Sequence, residues 1–406
     1  MAEWASLPKD LVESIANRLD TPTDLLRLRS VCATWRASAP SRRRRSSGIL
    51  PNDGISSASF GFHLSKRTVF LVKPPPDRLG IGGEGWVVKI EEEVRQRKRL
   101  LNPLCRYLLD TLPSGFPRVV DLMDLRIREL GHEYVLHHVN YKPNSVGDSR
   151  NLYMEKVVMV WSDGVFFLLT IHVSGKLAVF RGGDRKWSII KEMPSPYDDV
   201  IVYKGRFFAV DNTGRTVVVG LDSELVLAAN PVFGGDKKYL VESQGELLLV
   251  DMYLSIDTAE DENLGIGEEF LEHLAQYMSE RTIKFRVFRL EEESKSWIEM
   301  RSLGDRVLFL GDDCTFSASA EDLGSGCTGD CLLFVDNFFY AREELRELVE
   351  EGAVAGSGIG VFELGTGNIG PLKNYPHYAK LFWPPPHWVT LTTQELAPEL
   401  RSLAIG

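Results

Sequence analysis

The residues most suggestive of chemistry are three glycines followed by a lysine. Gly80, Gly82 and Gly85 spell G-x-G-x-x-G, and Lys89 follows. A dinucleotide-binding loop must leave a strand and open a helix, whereas here three prolines precede the glycines and the β-like run WVVKI follows. A kinase also needs His-Arg-Asp and Asp-Phe-Gly motifs, and the sequence contains neither. The pattern therefore favours an ordinary turn over a nucleotide site.

Cysteine and histidine do not follow a metal-ligand pattern. Cys314, Cys327 and Cys331 include no C-x-x-C pair, and the next histidine, His377, is 46 residues beyond Cys331. Structural zinc uses tightly spaced ligand pairs. His137-His138 lies in a strand-like run, where neighbouring side chains point to opposite faces. We therefore predict packed or free thiols and no metal or other cofactor.

Motifs of common hydrolases are also missing from the sequence. It contains no G-x-S-x-G, H-E-x-x-H or P-loop. Acidic pairs such as Asp312-Asp313 are too common in loops to nominate a glycosidase, which needs two carboxylates placed across a pocket. The chain is predicted to have no catalytic residues of its own.

Composition and charge restrict the class of partner. Of 406 residues, 44 % are hydrophobic and 26 % charged, which suits one large domain and a small one. The first 47 residues carry a net charge of +4 and the remainder −14. A large acidic domain repels phosphate backbones, so the predicted partner is a protein rather than nucleic acid.

Targeting signals and cysteine content bear on the compartment. Five irregularly spaced cysteines favour a reducing environment. Charged residues interrupt the N-terminus, no stretch reaches the length of a membrane span, and neither a leader nor a membrane contact is predicted. The expected location is the cytoplasm, the nucleus or both. The run Arg42–Arg45 is either a nuclear import signal or a solvated linker.

The first forty residues have helical periodicity. Leu7, Leu11, Ile15 and Leu19 recur every four positions, which predicts a one-faced apolar stripe. Pro22 suits the first position of a second helix, and apolar residues continue at spacings of three and four up to Trp35. From about Ser57 the sequence changes to short β-branched and aromatic runs separated by glycine turns, a pattern typical of β-strands.

The strand-like region has an internal period. Gly164, Gly205 and Gly245 are separated by 41 and 40 residues, and each precedes an apolar run. Several short strands repeated every 40–45 residues or so are typical of propeller blades. Gly85 and the run GDCLLFVD at 329–336 are interpreted as further copies of this pattern. The period predicts an all-β propeller, with six or seven blades as the expected number.

Two segments depart from the period and are predicted to be short helical insertions. Residues 257–281 are acidic and then place apolar residues at helical spacing, and 341–351 form a second amphipathic stretch. Insertions in repeat arrays often gather on the binding face. The two segments are either a docking site for a basic partner or merely solvated loops.

The segment 4–36 resembles an F-box. It combines Leu7-Pro8, a spaced Leu/Ile helix, Arg27-x-Arg29, Val31-Cys32 and Trp35-Arg36. The resemblance implies a small all-α unit of three helices in front of the propeller. The region behind this unit resembles the β-propeller of plant F-box proteins of the kelch-like KIB type, most distinctively in the run LGDRVLFLGDDCTFSASA and in WPPPHW. These resemblances divide the chain into an F-box (1–40), a basic, Ser-rich linker (41–56), a propeller (57–390) and a C-terminal tail (391–406).

The resemblance implies a partner for each domain. F-boxes of this kind bind a Skp-type adaptor, which bridges to a cullin scaffold, so the chain is expected to be the substrate receptor of a ubiquitin ligase, whose propeller binds an unidentified protein substrate. The F-box pattern carries the adaptor contacts onto eight residues: Leu7, Pro8, Leu11, Ile15, Leu19, Val31, Cys32 and Trp35. For some of them, Trp35 and the neighbouring Leu28 above all, a purely structural role is equally consistent with the pattern. Two competing hypotheses for the whole chain are a propeller-fold enzyme and an F-box scaffold that does not promote degradation.

Overall fold

The protein is described by a computed structural model. It describes residues 7–17, 19, 22–39, 50–51, 61–74, 85–92, 98–106, 125–138, 154–258, 278–336, 358–382, 384–386 and 388–389. No helix in these ranges is long and apolar enough to cross a membrane.

Three short helices form the N-terminal unit, as the sequence predicted: α1 (Lys9–Asn17), α2 (Pro22–Ser30) and α3 (Ala33–Ser38). Proline begins α2, where its missing N–H costs nothing because the first helical N–H groups have no partner within the helix. Cys32 precedes α3, and its Sγ accepts a hydrogen bond from the backbone N–H of Trp35 at 3.4 Å. The predicted all-α unit is confirmed.

Nine strands form the first sheet, which comprises two four-stranded units and one short strand. Their bounds are β1 (Leu50–Pro51), β2 (Gly61–Lys73), β3 (Trp86–Glu92), β4 (Lys98–Leu101), β5 (Arg126–His138), β6 (Met154–Ser162), β7 (Val165–His172), β8 (Leu177–Arg181) and β9 (Ser188–Ile189). The order is β4-β3-β2-β5-β6-β7-β8-β9, with β1 paired to β2. A single residue pair, Tyr134 with Val157, joins β5 to β6. We call β1–β5 blade 1 and β6–β9 blade 2.

Three more sheets follow along the chain. Blade 3 contains β10 (Tyr197–Tyr203), β11 (Arg206–Asp211), β12 (Thr216–Val219) and β13 (Leu225–Ala229). Blade 4 contains β14 (Lys237–Ser243), β15 (Glu246–Thr258), β16 (Met278–Glu291) and β17 (Ser296–Met300). Blade 5 contains β18 (Arg306–Leu310), β19 (Thr315–Ser319), β20 (Cys331–Val335), β21 (Ile359–Glu363) and β22 (Ile369–Pro371), in the order β19-β18-β20-β21-β22. Short helices α4 (Ala320–Leu323) and α5 (Pro376–Ala379) and a 3₁₀ turn (Leu372–Asn374) complete the described elements.

The innermost strands of the five blades form a closed ring. Each of β5, β6, β10, β14 and β19 contacts the next, and β19 returns to β5. Five apolar clusters fill the five blade interfaces, with one cluster between each pair of neighbours. The predicted propeller-type β-domain is confirmed, and the described residues form five blades where the sequence period predicted six or seven. The difference arises because blade 1 extends from Leu50 to His138, more than twice the 40-residue step.

The repeated glycines mark equivalent hairpins. Gly164, Gly205 and Gly245 follow the innermost strands of blades 2, 3 and 4, with φ angles of 77°, 71° and 79°. The residue before each of them, Asp163, Lys204 or Gln244, also has a positive φ. Two consecutive positive φ angles are the requirement of the type I′ turn that suits twisted hairpins. The 40-residue period therefore arises from this turn, which occurs once in each of blades 2, 3 and 4.

Two of the expected repeats occupy different positions. The run GDCLLFVD contains β20, which lies third in its sheet and runs parallel to β18. Gly85 precedes β3, also third from the axis, so neither is equivalent to the hairpin glycines. Leu50 and Pro51 of the predicted linker pair with β2.

The predicted insertions are only partly described. Strand β15 continues to Thr258 and β16 begins at Met278, so both ends of the segment 257–281 are strand rather than helix. Its remainder, 259–277, and the segment 341–351 lie outside the described residues. Thr282, which follows the first segment, donates its backbone N–H to Asp336 Oδ2 of blade 5 at 3.2 Å.

One face of the ring is defined by the starts of four innermost strands. Lys156, Asp199, Leu240 and Thr315, each near the start of its innermost strand, lie at one level because they bond to one another. We call the side on which β6, β10, β14 and β19 begin the entry face. The connections 190–196, 230–236 and 311–314 lead into β10, β14 and β19 on this side.

Candidate functional site

The N-terminal helices have a small apolar core. Val12 and Ala16 of α1, Leu25 and Leu28 of α2, and Trp35 and Ala39 from the end of the unit are buried together. Leu7, Leu19 and Cys32 are partly buried and pack against this cluster. Trp35 and Leu28, the residues with a possible structural role, hold the helices together.

Four of the eight predicted adaptor contacts lie on the surface instead. Leu11 is 50 % exposed, Ile15 38 % and Val31 56 %, and Pro8 is also exposed. Leu11 and Ile15 are one helical turn apart on α1, so they lie on the same side of that helix. The apolar stripe predicted for α1 is thus divided: its ends, Leu7 and Leu19, pack inward, and its middle faces solvent.

A hydrogen bond connects the helical unit to the propeller. Arg27 Nη2 donates to the carbonyl oxygen of Leu125, immediately before β5, at 3.1 Å. Its Nη1 lies 3.3 Å from Asp24 Oδ1 one turn earlier in α2, which orients the guanidinium. Leu125 itself is buried with Val72, Trp86 and Val88 of blade 1. The helical unit is therefore attached to blade 1.

Polar side chains join the innermost strands across the axis. Lys156 Nζ lies 2.9 Å from Asp199 Oδ1 and 3.4 Å from Thr315 Oγ1. Asp199 Oδ2 accepts from the backbone N–H of Leu240 at 2.8 Å, and the carbonyl of Leu240 accepts from Thr315 Oγ1 at 2.5 Å. These four contacts form a cycle through blades 2, 3, 4 and 5. A buried lysine thus replaces apolar packing at the centre of the ring.

A second buried network joins the first blade to the last. Lys89 Nζ lies 3.0 Å from Glu133 Oε2, and Arg67 contacts both Glu133 and Glu91, all within blade 1. Arg106 makes a bidentate contact with Asp313 of blade 5, at 2.7 and 2.5 Å. Burial alone would raise the pKa of Asp313, but the hydrogen bonds and charge of Arg106 hold that pKa below its ordinary value. Three cations and three carboxylates balance one another here.

Two further carboxylates lie at the entry face beside β14. Asp198 Oδ2 accepts a hydrogen bond from the backbone N–H of Lys238 at 2.9 Å. Asp312 precedes β19, and its side chain is exposed. Burial raises the pKa of Asp198 to about 6. Neither carboxylate forms an ion pair with a described residue within 4 Å.

Sequence comparison agrees with this architecture. Residues 4–44 match the F-box-like family, and residues 61–363 match the KIB1-4 beta-propeller family. The chain belongs to the KIB1-4 beta-propeller family. Three Arabidopsis thaliana relatives resemble it over most of their length. F-box protein SKIP23 is 47 % identical over 96 % of each chain, and F-box protein At2g17036 is 38 % identical over 98 % of this chain and 97 % of its own. Putative F-box protein At5g60060 is 33 % identical over 80 % of this chain and 86 % of its own. The resemblance to plant F-box proteins with a KIB-type propeller is confirmed.

The glycine-rich motif of this KIB1-4 propeller has no lysine available for a nucleotide. Lys89 lies in β3, is 1 % exposed and is bound to Glu133 and to the carbonyl of Cys105. Residues 80–84 lie outside the described residues. Gly85, at the end of the motif, donates its N–H to the carbonyl of Leu323, as part of the contact between blades 1 and 5.

The fold brings one cysteine of the KIB1-4 propeller close to a histidine that is distant in sequence. Cys327 Sγ lies 3.7 Å from the backbone carbonyl of His377, although 50 residues separate them. No disulfide joins any of the five cysteines, all of which lie among the described residues, and Cys314 is buried with its pKa raised by desolvation to about 12. Among the residues with described positions, no three His, Cys, Asp or Glu side chains are grouped as metal ligands. His137 and His138 lie in β5, as predicted.

Sequence reasoning does not find the axial residues. Lys156 and Asp199 look like ordinary polar residues near the start of a strand, and their pairing depends on how neighbouring blades pack. A weak signal exists, because Lys156 and Asp199 are each the third residue of an innermost strand. A charge at the same register of two blades indicates a common level in the ring of a KIB1-4 propeller.

Asp198 gives a prediction about pH. Its pKa in the folded protein, about 6, exceeds the ordinary value of 3.8, so the ionised carboxylate destabilises the folded state above pH 6. Asp198→Asn keeps an oxygen for the Lys238 N–H. We expect this variant to be about 1–2 kcal/mol more stable than wild type at pH 7.5. The difference should shrink as the pH falls through 6 and vanish below about pH 4.

Urea denaturation of both proteins between pH 4 and pH 8 measures this difference. The matched control is Asp163→Asn, since Asp163 is exposed. A variant that is less stable at pH 7.5 than at pH 4.5, relative to wild type, would contradict the assignment.

Proposed function

We propose that this chain is the substrate-receptor subunit of a Skp-adaptor, cullin and F-box ubiquitin ligase. The F-box binds the adaptor, and the propeller binds the protein to be ubiquitinated. The complex then brings that protein to the ubiquitin-conjugating partner, and this chain contributes binding and no catalytic group. Five cysteines that form no disulfide suit the cytoplasm or the nucleus as its location.

The observation that carries the proposal is the apolar surface of the F-box. A unit of three short helices can bury only a small core, and Leu11, Ile15 and Val31 are left outside it. Exposed aliphatic side chains on a unit of this size indicate a protein interface. The family matches support the same assignment, because an F-box-like segment is joined to a propeller.

The eight predicted contacts serve two purposes in this proposal. Pro8, Leu11, Ile15 and Val31 are the residues that touch the adaptor, since they are exposed. Leu7, Leu19, Cys32 and Trp35 position them from the core of the F-box. Replacing Leu7 and Pro8 with alanine would be a poor test, since Leu7→Ala also damages the core.

Leu11→Asp combined with Val31→Asp is the sharper variant. It places two charges on the exposed patch and leaves the buried residues unchanged, so we expect the affinity for a purified Skp-type adaptor to fall by about 100-fold or more. Isothermal titration of the full chain measures this affinity.

Val226→Asp provides the matched control. Val226 is 57 % exposed and lies on β13, in the propeller, so this variant should bind the adaptor as wild type does. Undiminished binding by the Leu11/Val31 variant, with helical content intact by circular dichroism, would refute the proposed adaptor surface.

Degradation and scaffolding differ in the lifetime of the target. A substrate receptor shortens the half-life of its target, and the Leu11/Val31 variant should lengthen it. A target whose half-life is the same with the wild-type chain and with the Leu11/Val31 variant would identify the complex as a scaffold.

A further inference from the structure

We propose that the target binds the entry face over blades 3, 4 and 5, where Phe233 enters an apolar pocket of the target and Asp198 and Asp312 pair with an arginine or lysine beside that pocket. The inference rests on the proposed function, because it assigns the surface and the chemistry by which the receptor recognises its substrate. It requires a rigid apolar anchor, unpaired charge close to it, and a common face for both.

Phe233 is the anchor. It is 75 % exposed, more than any other large hydrophobic side chain in the described residues. An aromatic side chain in this position loses contact with water only when a partner covers it. Large aromatic residues dominate the energetics of protein interfaces because they bury much area at little conformational cost.

The loop that carries Phe233 is fixed. Lys238 Nζ donates to the carbonyls of Gly234 and Gly235, at 3.0 and 3.3 Å. Asp236 donates its N–H to the carbonyl of Met252 at 2.7 Å, and its Oδ2 accepts from the N–H of Leu254 at 2.7 Å. The backbone that follows Phe233 is therefore held in place before any partner arrives, which reduces the entropy lost on binding.

The charge comes from Asp198 and Asp312. The loop 230–236 leads into β14, and Asp198 is bonded to the second residue of that strand. Asp312 lies on the other side of β14, because Thr315, three residues later, bonds to Leu240. Neighbouring charges are compensated, since Asp199 pairs with Lys156, Asp313 with Arg106 and Asp251 with Lys238. The ammonium of Lys237 lies 4.9 Å from the centre of the Tyr239 ring, and its charge acts on both carboxylates.

The balance of these groups determines the occupant. Two carboxylates and one ammonium leave a net negative charge on the same face as the apolar anchor. An acidic or phosphorylated segment would be repelled, whereas a guanidinium or ammonium would be attracted, which is the complementarity that gives interfaces their specificity. The occupant is thus a protein surface with an apolar pocket flanked by arginine or lysine.

A photocrosslinker at position 233 tests the proposal. p-Benzoyl-phenylalanine replaces Phe233 in the full chain, expressed in plant cells with its adaptor, and the crosslinked peptides are sequenced. The same group at Val226, on the outermost strand of blade 3, is the matched control. We expect proteins that crosslink from 233 and not from 226, with arginine or lysine within a few residues of the crosslink.

Charge reversal gives the decisive arm. Asp312→Lys should reduce capture from position 233 by roughly tenfold or more, and Asp312→Asn by less. Replacing the basic residue of the captured protein with glutamate should restore capture by Asp312→Lys. Unchanged melting temperatures of both Asp312 variants show that the propeller remains folded.

Three results would overturn the inference: equal capture from 226, captured segments without basic residues, or capture that is insensitive to Asp312→Lys. Absence of capture from 233 while a target is still degraded would overturn it as well. Measuring in the same samples whether the adaptor stays bound to this chain separates failure of the proposed function from failure of the proposed target-binding surface. Loss of the adaptor in wild type defeats the proposed function, whereas retained adaptor with failed crosslinking defeats only this surface.

Discussion

Lys238→Met is expected to lower the free energy of unfolding of the propeller by about 3–5 kcal/mol. Lys238 Nζ lies 2.5 Å from Asp251 Oδ1, and both side chains are fully buried. Neither oxygen of Asp251 accepts an aligned hydrogen bond from a described residue, so the charge of Lys238 is its main compensation. Methionine would leave the carboxylate alone in an apolar interior, which is strongly unfavourable.

Urea denaturation at unchanged m-value measures the loss. In the double variant Lys238→Met with Asp251→Leu, no buried charge remains, and most of the lost stability should return. The exposed pair Arg289–Glu246, at 3.1 Å, provides the control. Arg289→Met should cost less than about 1 kcal/mol. A cost for Lys238→Met as small as this would show that the buried pair contributes little.

The same substitution also affects the loop with Phe233. Lys238 holds the carbonyls of Gly234 and Gly235, and methionine cannot donate to them. We therefore expect Lys238→Met to accelerate hydrogen exchange, relative to wild type, in residues 233–236. The hairpin at Gly205, which Lys238 does not touch, should exchange at the wild-type rate.

The hairpins are predictable from the sequence because a local rule sets them. A type I′ turn requires positive φ at two consecutive residues, and glycine tolerates this without strain. Gly164, Gly205 and Gly245 therefore mark the turns wherever the rest of the blade lies. The number of blades has no such local signal, because the chain between repeats varies in length.

The F-box illustrates an intermediate case. The sequence predicted the helices correctly, but in α1 the positions of Leu11 and Ile15 and those of Val12 and Ala16 both recur at four-residue spacing. Either set could face the core, and the packing of α3 determines that Val12 and Ala16 do. Partner-binding residues of so small a unit are apolar, as its core is, so residue type cannot separate them.

The axial charges could not be predicted, because their partners are distant in sequence. Lys156 meets Asp199 after 43 residues and Thr315 after 159. The packing of the consecutive blades 2 and 3 brings Lys156 to Asp199, and closure of the ring brings it to Thr315. Buried ions would be unfavourable in each blade alone, so their presence reflects the assembled propeller.

Glu133→Gln is expected to lower the free energy of unfolding by about 3–5 kcal/mol, as much as Lys238→Met does. Glu133 is fully buried and accepts from Lys89 at 3.0 and 3.1 Å and from Arg67 at 3.4 Å. Glutamine keeps the shape but removes the charge, which leaves one cation of the network uncompensated. The free energy of unfolding from urea titration measures the cost. The exposed pair Lys204–Glu292, at 2.7 Å, provides the control, and Glu292→Gln should cost less than about 1 kcal/mol.

The strands in which Glu133→Gln accelerates hydrogen exchange distinguish a network that joins two blades from an isolated ion pair. Glu133 lies on β5, the innermost strand of blade 1, beside the Arg106–Asp313 contact that joins blade 1 to blade 5. If the network closes the ring, hydrogen exchange should accelerate in β5 and β19 more than in β10 and β14. Adding Lys89→Met removes the surplus cation and should restore part of the stability, with the coupling energy given by the double-mutant cycle. Additive effects of the two substitutions, or exchange that rises equally in all blades, would mean that the ring is closed by its apolar interfaces alone.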